Sequence, residues 1–287
     1  MTTIVLGSKG FIGGAVHKRV GGIGLTRQDQ DLEAGCTLPY ADTVYMCAGE
    51  TGGVGRMTDD PLSFVLPNVR MHMNVFEACA KAGVRRVVCV GSTTGYPDSA
   101  SPMVEDDYLQ VELHPAYVIP GNAHRFIYRL AQMFTKSKGL EISFVRPSNV
   151  YGPGNDFSPN HSHVIEATVR KVAERQDPIV IWGDGKQVRD GIYIDDLVEA
   201  MVLAAQGPVG AYNVGSGDEM SVLEIVYALC RHAAFTPRLE YDPSKPLAIP
   251  VRRVDTTKAR TVLGWKPKVM MRDGLAATYD WFLNERR

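Results

Sequence analysis

The chain has 287 residues, 45% of them hydrophobic and 22% charged, with a formal net charge of -1. That is enough chain for a large core in one big or two smaller domains. A near-zero balance with no long Lys/Arg run argues against nucleic acid as a partner. No apolar run approaches the ~20 residues of a membrane span, which argues against a membrane partner as well.

Taken in order, short apolar runs alternate with helical patterns. The runs are Thr3–Leu6, Val44–Cys47, Arg86–Val90 and Ile142–Val145. They are almost continuously hydrophobic, the pattern of parallel strands covered on both faces. The first leads straight into Gly7-Ser-Lys-Gly10-Phe-Ile-Gly13 and a helical segment. A GxxGxxG loop between a first strand and a helix gives a tight turn, close backbone approach and close helix–strand packing. The helix N-terminus then suits a dinucleotide pyrophosphate. Gly7, Lys9, Gly10, Phe11, Ile12 and Gly13 are therefore expected to bind cofactor.

NAD binders usually carry a carboxylate after the second strand. This chain has Gly22-Ile-Gly-Leu-Thr-Arg27, with Lys9 as a second cation. Two cations suit a 2′-phosphate. NADP(H) is the favoured cofactor and NAD(H) is possible. The bland reading makes both cations solvated surface residues. Asp31, slightly further on, is expected to face the adenine.

Further helices are predicted near Asn68–Gly83 and Asn122–Lys138, each with one apolar face, and over Asp196–Gln206. Ser221 with Glu224 forms the signature of a capping box. After Pro147 the loops lengthen and gain Pro, Gly and Asn. The fold class is α/β, a Rossmann-type doubly wound parallel sheet with a smaller α/β C-terminal substrate lobe. Residues 1–150 are assigned to the first and 151–287 to the second, with the chain expected to cross between lobes. The five cysteines form no CxxC pair. With a first strand starting almost at Met1, they point to a reducing, cytoplasmic setting.

Several motifs then resemble one superfamily. In order they are GxxGFIG, Thr26-Arg27, Gly52-Gly-Val-Gly, Gly91-Ser92-Thr-Thr-Gly-Tyr96-Pro97, Arg146-Pro-Ser-Asn-Val-Tyr-Gly-Pro153, Asn160-His-Ser-His163-Val-Ile, Trp182-Gly-Asp-Gly, Arg189-Asp-Gly-Ile-Tyr-Ile-Asp-Asp196, Tyr212-Asn-Val-Gly-Ser-Gly217 and Leu263-Gly-Trp265. The chain resembles the extended short-chain dehydrogenase/reductases of the NAD-dependent epimerase/dehydratase type, over nearly its whole length. Within them it is most similar to the GDP-L-fucose synthase branch, the GDP-4-keto-6-deoxymannose epimerase/reductases.

The resemblance implies a nucleotide-diphosphate sugar as substrate and a homodimer through the two helices near 68–83 and 122–138. It adds Ala48, Gly49, Pro147, Asn149 and Val150 to the cofactor set. Lys171 and Arg189 match cations near the diphosphate, Trp182 the base and Arg252 a weaker substrate contact. Asn149 and His163 are also expected at the substrate. Lys171 as a surface lysine and Trp182 as a core aromatic are the plainer alternatives.

Ser92 matches the residue that hydrogen-bonds the sugar's reacting oxygen; the alternative is a serine that only caps a strand end. The family's Tyr-xxx-Lys is missing. Counting back from Pro147 puts Pro120 in the tyrosine slot and His124 in the lysine slot. Tyr117 stands three residues early. Either Tyr117 brings its hydroxyl back to the site with His124 on the ribose, or the site has no tyrosine acid. The family's epimerising cysteine is replaced by Thr94, a poor acid or base, whereas its partner survives as His163, a residue type whose free imidazole titrates near neutrality. Two readings follow: an NADP(H)-dependent epimerase/reductase, or a non-redox protein on the same scaffold. The second holds cofactor and nucleotide sugar as a sensor, or acts as an isomerase or dehydratase through His163.

Overall fold

A computed structural model describes residues 1–51, 60–97, 99, 101–110, 112–159, 162–245 and 250–285. The Gly52–Gly55 motif and the Asn160-His161 part of the histidine motif lie outside them.

The first lobe is a six-stranded sheet whose neighbouring strands all pair in parallel. Its strands are β1 (Thr3–Leu6), β2 (Ile23–Leu25), β3 (Thr43–Met46), β4 (Arg86–Val90), β5 (Glu141–Pro147) and β9 (Ala211–Val214), in the order β2-β1-β3-β4-β5-β9. The continuous hydrophobicity of these strands has a direct cause. Alternate residues point to opposite faces, and both faces are covered. Ile4, Leu6, Val44, Met46, Val87 and Cys89 pack against one helical layer. That layer is α2 (Leu62–Lys81) and α3 (Val118–Lys138). The intervening Val5, Tyr45 and Val88 pack on the other side against α1 (Phe11–Val20) and α5 (Ile194–Gln206). Each fully buried Val, Leu or Ile contributes about 1.5–3 kcal/mol.

Two helices begin earlier than their sequence patterns predict. The α2 helix starts at Leu62, not Asn68, and carries Pro67 inside it. Phe64 and Val65 bury on its first turn and outweigh the missing proline N–H. Gly83 ends it in a left-handed conformation, φ +70°. The α3 helix starts at Val118, not Asn122. Its Pro120 falls in the first turn, where a backbone N–H has no intrahelical acceptor to lose.

The second lobe is smaller. Strand β8 (Val188–Tyr193) pairs with β6 (Asn149–Tyr151), β10 (Glu219–Ser221) and β12 (Val251–Arg252). A separate parallel pair joins β7 (Ile179–Trp182) to β11 (Leu239–Asp242). Helices α4 (Val164–Ala173), α6 (Val222–His232) and α8 (Met271–Glu285) close its core around Ile165, Val169, Ile225, Leu229 and Leu275. The predicted capping box stands at α6: Ser221 Oγ accepts from Glu224 N–H at 3.2 Å, and Ser221 N–H donates to Glu224 Oε2 at 2.7 Å. A short α7 (Thr257–Leu263) follows β12.

The chain passes between lobes more than once. It leaves after β5, returns through β8 into α5, and sets β9 beside β5 with Phe144 opposite Ala211. This braiding brings loops of both lobes to one end of the parallel sheet, the carboxyl ends of its strands, where doubly wound folds bind ligands. Among the described residues, no helix is long and apolar enough to cross a membrane.

Candidate active site

The strand order reverses at β1, which has β2 on one side and β3 on the other. The glycine loop leaves β1 at that point. Gly7 has φ +80°, and a Cβ on it would meet the Ala48 backbone at 2.9 Å. A Cβ on Gly13 would run into the Gly7 carbonyl oxygen. Both glycines are thus required by close backbone approach. Gly10 caps α1 without a side-chain acceptor, and no acid stands in the first helical turn. The cradle fits a dinucleotide diphosphate: its helix N-terminus has a partial positive charge and a Cβ-free rim.

Beside the cradle lies a cleft lined by Thr26, Arg27, Asp31, Glu33, Ala48 and Gly49. The Thr26 hydroxyl and N–H donate to Asp29 Oδ2 at 2.7 and 2.8 Å. These bonds, with Lys9 nearby, hold the Asp29 carboxyl below its ordinary range. Arg27 forms ion pairs with Glu33 at 3.3 Å and Glu50 at 3.5 Å. Asp31 lines the cleft and accepts from Glu33 N–H at 3.1 Å. Glu33 and Glu50 escape a sequence reading that looks for one carboxylate at one spacing.

Ser92 follows β4 by two residues and caps a single 3-10 turn, Thr93–Gly95. Its hydroxyl accepts from Thr94 N–H at 3.1 Å and shares a 2.8 Å hydrogen bond with the Thr94 hydroxyl. The turn is locked to α3 by Arg125 Nε, which donates to the Gly95 carbonyl at 2.8 Å. A Cβ on Gly121 would lie 2.5 Å from the Thr94 carbonyl, so the first turn of α3 packs directly on this segment.

Tyr117 caps α3 and is buried. Its ring lies under the Arg252 guanidinium at 4.4 Å, a cation–π distance. Arg252 Nη1 also donates to Thr93 Oγ1 at 3.3 Å. Arg189 is Arg252's partner in the β8–β12 register. Burial disfavours the charged form of Arg189; Tyr117 favours it and Arg252 opposes it. The two lobes therefore meet where Tyr117, Arg189, Arg252 and Thr93 converge. Tyr117 is not among the hydrogen-bond partners of Ser92.

His124 lies in the second turn of α3. Burial, then His72 and Arg146, push its imidazole down to about 4. At neutral pH it is uncharged, so it does not supply the fixed positive charge of a lysine in that slot. A positive charge does lie nearby. Arg146 is almost wholly buried, with its guanidinium 3.5 Å from the centre of the Tyr108 ring and 4.5 Å from that of Tyr128. Its Nη1 donates to the Tyr96 hydroxyl at 3.1 Å, and Tyr96 donates to Asn213 Oδ1 at 2.6 Å. Arg146 Nη2 has no hydrogen-bond partner among the described residues.

On the substrate-lobe side, Asn149 Nδ2 donates to the Asp190 carbonyl at 3.0 Å, and Val150 sits opposite Ile192. Pro147 sits opposite Val214. These contacts tie β6 to β8 and β5 to β9 just past the sheet's end. Lys171 Nζ donates to the Val180 carbonyl at 2.6 Å, and Trp182 on the same strand is half exposed. His163 is the N-cap of α4 and is exposed. Desolvation lowers its pKa, against a raising effect of Asp156. Three residues on, Glu166 is buried and its carboxyl is raised to about 7 by that burial. Asn155 Nδ2 donates to its Oε1 at 2.6 Å. Glu166 Oε2 has no partner among the described residues.

Comparison with known proteins identifies the scaffold. Residues 3–215 match the model of the NAD dependent epimerase/dehydratase family. The chain belongs to this family. It is 30% identical to a probable GDP-L-fucose synthase of Oryza sativa subsp. japonica, over 97% of this chain and 91% of that protein. It is 28% identical to the GDP-L-fucose synthase of Escherichia coli (strain K12), over 98% and 96%. A UDP-glucose 4-epimerase of Thermotoga maritima, solved with UDP-glucose, has the same fold at TM-score 0.87 and 23% identity, covering 100% of both chains. A GDP-6-OMe-4-keto-L-xylo-heptose reductase from C. jejuni does so at TM-score 0.88 and 21% identity, covering 99% and 98%. Membership of this enzyme family agrees with the glycine cradle at the β1–β3 switch point.

Proposed function

We propose that this enzyme is an NADP(H)-dependent epimerase/reductase acting on a 4-keto deoxysugar joined to a nucleoside diphosphate, like the GDP-L-fucose synthases. The observation that carries this reading is the meeting of Tyr117 with Arg252 and Thr93 beside the Ser92 turn. In this reading Gly7, Gly10, Gly13 and the N-terminus of α1 hold the cofactor diphosphate, while Lys9 and Arg27 serve a 2′-phosphate. When bound, the nicotinamide supplies the hydride. Ser92 and Thr94 orient the sugar's ketone oxygen, and Tyr117 delivers the proton that converts it to a hydroxyl. Arg189 and Arg252 take the substrate diphosphate through charge-assisted hydrogen bonds. Lys171 adds a further cation toward that diphosphate, and Trp182 lines the base end. His163, held toward its neutral form by desolvation, takes a proton from the carbon beside the ketone; the electron pair moves to the ketone oxygen as an enolate, and a solvent proton returns to the carbon before reduction. Incubation with NADPH and a panel of 4-keto nucleotide sugars tests the reading: cofactor oxidation with one member is expected, and none with any member opposes it.

Two observations favour a second reading. Ser92 bonds to Thr94 rather than to Tyr117, and His124 is neutral. A non-redox isomerase or dehydratase working through His163 needs neither a tyrosine acid nor a lysine. It would exchange a substrate hydrogen with solvent without consuming NADPH.

We also propose a homodimer. Leu66 and Met73 on α2, and Phe126 and Met133 on α3, are large, apolar and 43–63% exposed. Such faces on adjoining helices mark an interaction surface, and two copies would form a four-helix contact. Sedimentation analysis is expected to give twice the 31.5 kDa chain mass.

A further inference from the structure

Both terminal nitrogens of Arg27 are engaged inside the cofactor cleft. Nη2 lies 3.3 Å from Glu33 Oε1 and Nη1 lies 3.5 Å from Glu50 Oε1. The other Glu33 oxygen lies 3.7 Å from Arg70. The acids are the deeper members: their side chains are 22% and 35% exposed, against 68% for Arg27.

The backbone carrying each acid is fixed from α2. Asn74 Nδ2 donates to the carbonyls of Leu32 and Glu33 at 2.7 and 3.1 Å. Asn68 accepts from Glu50 N–H at 2.9 Å and donates to the Glu50 carbonyl at 2.8 Å. Two asparagines of one helix thus hold two carboxylates around one guanidinium.

A 2′-phosphate brings close to two negative charges. To bind Arg27 in a forked, bidentate way it must compete with both acids for the guanidinium and tolerate their repulsion. An unphosphorylated ribose meets no such barrier, because its hydroxyls donate to carboxylates. We infer that Glu33 and Glu50 are specificity-determining residues of the cofactor cleft. They clamp Arg27, so discrimination between NADP(H) and NAD(H) depends on releasing the arginine and not on its presence alone. The inference rests on the reading that this cleft takes a dinucleotide.

The test is equilibrium binding of NADPH and NADH, by calorimetry, to the full chain and to Glu33→Gln, Glu50→Gln, the double variant, and the double variant with Arg27→Met. Glutamine keeps the size of the side chain and removes its charge. The double variant is expected to raise the NADPH-to-NADH affinity ratio roughly five- to tenfold, since exposed ion pairs are individually weak. Each single variant gives part of that rise, and Arg27→Met abolishes it. An unchanged ratio in the double variant, with thermal unfolding showing it folded, overturns the inference. A parent chain that binds neither dinucleotide overturns the cofactor reading itself, and the inference falls with it.

Discussion

The Arg252 guanidinium stacks 4.4 Å above the Tyr117 ring and reaches across to the Thr93 hydroxyl. Arg252 comes from the last strand of the smaller lobe, whereas Tyr117 caps a helix of the parallel-sheet lobe. One contact therefore joins the proposed diphosphate site to the proposed proton donor. Arg252→Met is expected to lower kcat/KM by about tenfold or more, the weight of a hydrogen bond to a charged group. Arg252→Lys should recover only part, since a compact ammonium cannot both stack and reach. Steady-state kinetics of the two variants check this.

Ser92→Ala and Tyr117→Phe separate orientation from proton delivery. Tyr117→Phe keeps the ring that Arg252 covers and removes only the hydroxyl. It is expected to cut kcat by about 10²–10⁴-fold with little change in KM. A kcat close to the parent's would remove Tyr117 from the chemistry.

In the proposed reading, Thr94 stands where the sequence resemblance implies an epimerising cysteine. A thiol there sits two residues after Ser92 and can ionise, whereas a threonine hydroxyl cannot near neutrality. Thr94→Cys is expected to add exchange of a second substrate hydrogen in deuterated water, read by mass spectrometry. The parent should exchange only the hydrogen served by His163, and His163→Asn should lose that one.

Glu166 makes stability depend on pH. Its carboxyl is raised from the ordinary 4.5 to about 7 by burial. The folded state therefore binds more protons than the unfolded state between those values. Stability from this group is full below about 4.5 and is lost as pH rises toward 7, by about 3 kcal/mol. His124 runs the other way: with a folded value near 4 against 6.5, its contribution is present above 6.5 and is lost as pH falls. Glu166→Gln should flatten the falling limb between pH 4.5 and 7 in urea unfolding.

Much of the fold was legible because strands buried on both faces write a continuous apolar run. The run Thr3–Leu6 before Gly7 located the sheet, its first turn and its helix. Helix starts were less legible. At Pro67 and Pro120, burial of neighbouring apolar residues and the tolerance of a first turn outweigh the usual proline signal. The site was legible only where function sits in a short motif. Ser92, Arg27 and Arg189 fall within such motifs. Glu33 and Glu50 meet Arg27 from different loops, Arg146 meets Tyr96 across 50 residues, and Glu166 is set apart by its burial. No spacing rule records such contacts. Tyr117 is an intermediate case, since its type was visible but its place beneath Arg252 depends on β12.

The central claim is that this family member reduces a 4-keto nucleotide sugar although its tyrosine and lysine slots hold Pro120 and His124. Single-turnover consumption of NADPH with GDP-4-keto-6-deoxymannose tests it most directly, run on the parent chain, Ser92→Ala and Tyr117→Phe. The account predicts one NADPH consumed per sugar reduced by the parent, with the rate reduced in both variants. Tight binding of NADPH and sugar by the parent with no NADPH consumed would contradict it.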